Sequence, residues 1–104
     1  MPTAAMSWAR PMIISWRPQA ADDFESLIAR SSAGNIANAS RDKSLVETRI
    51  QQLVRFDQLG RKTRRVGVRE LPIENTPYVV VSRRLGDEIL ILRIFSNGSA
   101  VQAR

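Results

Sequence analysis

Residues 61–69 hold Arg61, Lys62, Arg64, Arg65 and Arg69 with no acidic residue among the nine. Arg83, Arg84 and Arg93 follow closely. A guanidinium presents a planar fork to an oxyanion and stays protonated, so it stabilises negative charge but is a poor base. The chemistry these residues offer is recognition of phosphates or of carboxylates. The sequence leaves both open: a loop and a hairpin forming one positive concavity for a nucleic acid or for an acidic peptide.

The chain has no His and no Cys. That excludes disulfides, thiolate metal sites, thiol nucleophiles and Ser-His-Asp triads, and removes the usual base near neutral pH. Proton transfer would fall to Asp, Glu, Lys, Arg or Tyr78, the single tyrosine. At the head of an apolar strand Tyr78 is expected to pack inward with its hydroxyl at the rim. No cofactor and no metal ion is expected. Each basic residue also has a purely structural reading. Arg69 and Glu70 can anchor strands to a helix, and Arg83 with Arg84 can keep a sheet edge soluble. Arg93 interrupts an apolar alternation and must meet a carboxylate or reach solvent. Asp22 and Asp23 read as dipole complements on a solvated helix face.

These residues need a scaffold, and 104 residues allow one domain. Residues 12–16 are β-branched and bulky and read as a first strand, which Pro18 ends. Ala20 or Ala21, Phe24, Leu27 and Ile28 carry helical spacing over about 18–30. Ser31 to Asn35 read as a break with Gly34 or Asn35 in the left-handed cap. A second helix is expected from Ile36 or Arg41 to Leu59, with Ala39, Val46, Ile50, Leu53 and Val54 inward and Gly60 as its stop. The period then changes to two. Residues 66–73, 78–85 and 88–95 read as strands, joined by turns at 74–77 and at Gly86-Asp87. The last is apolar on both alternations and is expected to be covered on both faces.

The expected order is therefore strand, two helices, three strands: an α+β fold with a helical hairpin on a small, mostly antiparallel sheet. Residues 1–11 show no period and read as a weakly ordered extension. Met1, Met6 or Met12 can start translation, the domain runs over 12–96, and 97–104 read as a flexible tail. No window approaches the ~20 apolar residues that span a bilayer, and no secretory signal is recognisable. A cytoplasmic protein is expected. Sixteen Lys and Arg against ten Asp and Glu give a net charge of +6, which favours polyanions or an acidic partner.

Leu59-Gly60-Arg61, Val68-Arg69-Glu70-Leu71-Pro72-Ile73, Thr76-Pro77-Tyr78-Val79-Val80-Val81, and Gly86-Asp87 before Ile89-Leu90-Ile91-Leu92-Arg93-Ile94-Phe95 occur in this order. Together they resemble the RelE/ParE superfamily of toxins from bacterial type II toxin–antitoxin systems, over about residues 12–95. The resemblance implies the fold just described and a cognate antitoxin with an acidic, amphipathic segment. RelE-like members are ribosome-dependent mRNA endonucleases, and that branch would set Arg61, Arg69, Arg83, Arg93 and Tyr78 around a scissile phosphate. This chain departs from their pattern with Val79 in the sheet and Ser96-Asn97 after Phe95. ParE-like members poison DNA gyrase by binding. This chain is similar to them in its Arg-Glu-Leu-Pro-Ile, Thr-Pro-Tyr and Ile-Leu-Arg runs, but has Ser82 and Ser96 where Tyr and His are usual. The ParE-like reading is preferred, with Arg61, Lys62, Arg64, Arg65, Arg69, Arg83, Arg84 and Arg93 as partner-binding residues. The alternatives are the RelE-like nuclease and an inactivated domain that acts only as a binding module.

Overall fold

The computed structural model describes residues 12–97. The expected extension over 1–11 and the tail past Asn97 lie outside the described residues. The chain runs β1 (Ile13–Trp16), α1 (Pro18–Gly34), α2 (Ile36–Gln52), β2 (Arg61–Lys62), β3 (Val68–Pro72), β4 (Tyr78–Leu85) and β5 (Glu88–Ser96). The sheet order is β1-β5-β4-β3-β2, with β1 parallel to β5 and every other pair antiparallel. This is the expected α+β arrangement, with one short strand, β2, added inside the basic segment.

Pro18 opens α1, where its missing N–H costs nothing and its fixed φ is already helical. The helix then continues to Gly34, past the expected break at Ser31. No left-handed cap is used. Asn35 is extended instead, at φ −163°. Its N–H closes α1 on the Ser31 carbonyl at 3.0 Å, and its Oδ1 opens α2 by accepting from the Asn38 N–H at 3.1 Å. One residue thus caps two helices, which removes the need for a linker.

α2 stops at Gln52, well before Gly60. Leu53, Val54 and Arg55 donate to the carbonyls three residues back, and this tightening ends the helix. Residues 53–58 are turns and bends, and Leu53 still reaches the core at 1% exposure. Gly60 has a different role, as the lead into β2. Its φ is +96°, and a Cβ there would stand 2.7 Å from the Glu70 carbonyl oxygen. Only glycine lets the chain pass this close to β3.

Both helices cover one face of the sheet. Ala20 and Leu27 of α1, and Val46 and Ile50 of α2 with Leu53, meet Leu71, Ile73, Tyr78, Val80, Ile89, Ile91 and Ile94. Val54 is only half-buried. β5 is not covered on both faces as its sequence suggests. Val81 pairs with Arg93 but Ser82 pairs with Ile91, so Leu92 is the extra residue of a β-bulge. The bulge shifts the inward phase, which explains why Ile89, Ile91 and Ile94 are all buried. Leu90 and Leu92 are left half-buried, and no helix covers their face.

Candidate functional site

The period of the strands divides the basic residues between the two faces of the sheet. Tyr78, Val80, Ser82 and Arg84 share the helix-side face of β4, and Val79, Val81 and Arg83 the open face. On β3, Arg69 lies on the helix side with Leu71, while Val68 and Glu70 face the open side. The residues singled out in the sequence therefore do not form one concavity. They divide between an open groove, which the loop between β2 and β3 helps to line, and a niche at the far end of the helix-side face.

The open groove has a volume of about 680 Å³, and its lining includes Arg64, Arg65, Val68, Glu70, Val81, Arg93 and Phe95. Its floor is apolar and its walls carry guanidinium groups. Glu70 stands directly across from Arg61 in the β2–β3 ladder, their charges 3.5 Å apart. Arg93 finds its carboxylate on α1: its Nε and Nη2 donate to Asp23 at 2.7 and 3.0 Å. Asp23 also accepts from the Ile94 N–H at 3.0 Å. It is thus not a solvated dipole complement but a mostly buried tie between helix and sheet. The hydrogen bonds from Arg93 hold its carboxyl below the usual range, against a smaller opposing effect of burial.

The niche, about 280 Å³, is lined by Asp57, Gln58, Gly67, Arg69, Ser82, Arg84 and Ile89. Arg84 pairs with Asp57 and donates to the Gly86 carbonyl at 3.0 Å. Arg69 donates to the Gly60 carbonyl at 3.2 Å. Lys62 ends β2, Arg64 and Arg65 reach the open groove from the loop between β2 and β3, and Arg83 lies on β4. Among the described residues, Lys62, Arg64, Arg65 and Arg83 have no carboxylate within ion-pair distance.

Tyr78 lies apart from all of these. It is 5% exposed, packed in the core beneath the helices. Burial pushes its hydroxyl above the ordinary phenol range, and the nearby charge of Asp42 adds to this, while a hydrogen bond with Ser31 and the charge of Arg30 oppose it. Asp42 is a buried acid missed in the sequence. Its Oδ1 has no hydrogen-bond partner, and the nearest cation is Arg41 at 3.7 Å. The signal was available, since Asp42 continues the Ala39, Val46, Ile50 spacing. A second cleft, about 750 Å³, opens between the helices beside Trp16, Phe24, Ile28 and Ile50, with Glu25 and Glu47 in its lining. Trp16 stacks on Phe24 at a ring distance of 5.6 Å, and both line this cleft while packing against the core.

Fold and surface together define an α+β domain with a helical hairpin on one sheet face and a cationic groove on the other. The same fold occurs in a solved structure of the chromosomal ParDE toxin–antitoxin system from P. aeruginosa. That match has a TM-score of 0.72 and 27% identity, and covers 82% of this chain and 95% of that one. The family model for the ParE toxin of the type II toxin–antitoxin system parDE matches residues 14–100, and the chain belongs to that family. Comparison with curated proteins gave no match. No described helix is long and apolar enough to cross a membrane.

Proposed function

We propose that this ParE-family chain arrests growth by binding and poisoning DNA gyrase, and that a cognate acidic antitoxin neutralises it. It would meet both in the cytoplasm. The observation that supports binding over cleavage is the location of Tyr78. The one phenol is buried on the sheet face opposite Arg83 and Arg93, with its hydroxyl bonded to Ser31. Attack by a ribose 2′-hydroxyl needs one group to take a proton and another to give one. An arginine-lined groove without that pair is suited to holding an anion in place.

The antitoxin reading draws on charge and shape. An acidic segment with apolar anchors suits a groove floored by Val68, Val81 and Phe95 and walled by Arg64, Arg65 and Arg93. Arg61, Lys62, Arg69, Arg83 and Arg84 add to the attraction at longer range.

One residue favours the RelE-like alternative. Glu70 is a carboxylate inside the arginine groove, the position a general base would need. The test is to incubate the purified chain with gyrase, ATP and supercoiled plasmid, then denature the enzyme. Linear DNA covalently trapped on gyrase is expected. Cleavage of ribosome-bound message, abolished by Glu70→Gln in a folded protein, would favour the nuclease. Neither product, with an antitoxin still bound, would leave an inactivated binding module.

A further inference from the structure

The fold gathers three polar side chains on one patch of the helix-side sheet face. Arg69 of β3 and Ser82 of β4 are direct ladder partners, and Arg84 lies two residues past Ser82 on the same face of β4. α2 stops at Gln52, and none of the residues around this patch is helical. The result is the niche of about 280 Å³, which Asp57 and Gln58 line from the segment after α2 and Ile89 from β5.

Ser82 separates this niche from the other basic surfaces. It is 5% exposed, it lines the niche, and its hydroxyl has no hydrogen-bond partner among the described residues. A buried hydroxyl is costly to leave unpaired, so its donor calls for an acceptor that the niche admits. The two arginines are already held in place. Arg69 gives one N–H to the Gly60 carbonyl at 3.2 Å, and Arg84 gives Nε to the Gly86 carbonyl at 3.0 Å and Nη1 to Asp57. Each guanidinium keeps further N–H donors beyond these bonds. Fixing donors in advance lowers the entropy lost when they engage an anion.

We propose that the niche is a binding site for a phosphate group, held by Arg69, Arg84 and the Ser82 hydroxyl. Two guanidinium charges against the one carboxylate of Asp57 leave it net positive. The donor set selects phosphate over carboxylate. A carboxylate offers two oxygens in one plane and suits a single arginine fork, a place Asp57 already takes beside Arg84. A phosphate presents three acceptor oxygens in a tetrahedral arrangement and can accept from all three side chains at once. The niche is smaller than the ~300–1,000 Å³ of pockets that enclose a whole small molecule. A nucleotide would therefore enter by its phosphate end, with its base outside. The inference does not rest on the gyrase reading, and it concerns the sheet face opposite the open groove.

The test is an NMR titration of the isotope-labelled full chain with sodium phosphate, at an ionic strength held constant with sodium chloride. Saturable amide shifts are expected at Gln58, Gly67, Ser82 and Ile89. Ser82→Ala and Arg69→Gln should each weaken binding about tenfold, the loss of one hydrogen bond to a charged group. Asp57→Asn frees the Arg84 fork and should tighten binding about two- to fivefold. Arg17→Gln, between β1 and α1, should bind as wild type does. Circular dichroism confirms that each variant is folded, and Ser82→Ala removes a single hydroxyl should Arg69→Gln disturb the Gly60 contact. AMP in place of phosphate separates the sources: tighter binding assigns a nucleotide, and equal binding the free ion, and both uphold the site.

Absence of saturable shifts at the niche, or shifts that Ser82→Ala leaves untouched, would overturn the inference. Equal weakening in Arg17→Gln would overturn it in favour of diffuse charge. Acetate that saturates the same amides as tightly as phosphate would overturn it in favour of a carboxylate site. A chain that poisons gyrase but binds no phosphate refutes this inference alone. Phosphate binding at the niche without gyrase poisoning refutes only the gyrase reading.

Discussion

Arg93 of β5 and Asp23 of α1 are joined by two hydrogen bonds, and the same carboxylate also takes the Ile94 N–H. β1 pairs with β5 only as far as Ile91, so the edge of β5 beyond it has no strand beside it. Asp23 supplies an acceptor there, in place of the carbonyl a longer β1 would have offered. The pair therefore fixes the first helix to the sheet and aims one wall of the cationic groove.

The pH dependence follows from that geometry. The Asp23 carboxyl is held below its ordinary value, so its contribution to stability is present above the unfolded pKa, about 3.9, and is lost as pH falls through the folded value. Asp23→Asn should cost about 1 kcal/mol near neutral pH, since solvent screens much of the pair. Urea denaturation from pH 3 to 7 checks this: the variant should lose less stability than wild type on acidification.

Gly60→Ala is expected to destabilise the protein by about 2 kcal/mol or more, from the left-handed backbone and the contact with the Glu70 carbonyl. Because β2 pairs only through Arg61 and Lys62, the strand should detach. Hydrogen exchange would then show loss of protection at β2 and β3, ahead of β4 and β5.

Tyr78→Phe separates core from catalysis. It should cost about 0.5–1.5 kcal/mol through the lost bond to Ser31 and leave growth arrest unchanged. The wild-type hydroxyl has a raised pKa. Its contribution to stability is complete below about pH 10 and disappears as pH rises through the folded value. The phenylalanine variant should lack that alkaline loss, which denaturation between pH 8 and 11 would reveal.

Ile91 is fully buried at the start of the bulge, in register with Trp16 and Ser82. Ile91→Ala should cost about 2–5 kcal/mol by leaving a cavity. Thermal denaturation would show this as a large drop in Tm. Leu92→Ala, on the uncovered face, should shift Tm far less.

The sequence carried most of the fold, because period and turn residues report directly on which face is buried. β1, β4, β5 and the Gly86-Asp87 turn lie where the pattern puts them, give or take a residue. The misreadings had physical causes. Ser31 to Asn35 look like a break in isolation, but Asn35 caps both helices and lets α1 run to Gly34. The doubly apolar β5 concealed a bulge, since a one-residue phase shift resembles burial on both sides. The basic residues were legible as a set. Their distribution was not, because pairing such as Arg93 with Asp23 joins positions 70 residues apart.

The most direct measurement of binding against bond-breaking is a titration of the purified chain against a fixed amount of gyrase on supercoiled plasmid. Trapped DNA should rise linearly and saturate at a fixed ratio of toxin to gyrase, while an RNA substrate added to the same reaction stays intact. Multiple turnover of that RNA by a trace of the chain, with no trapped DNA, would contradict the account.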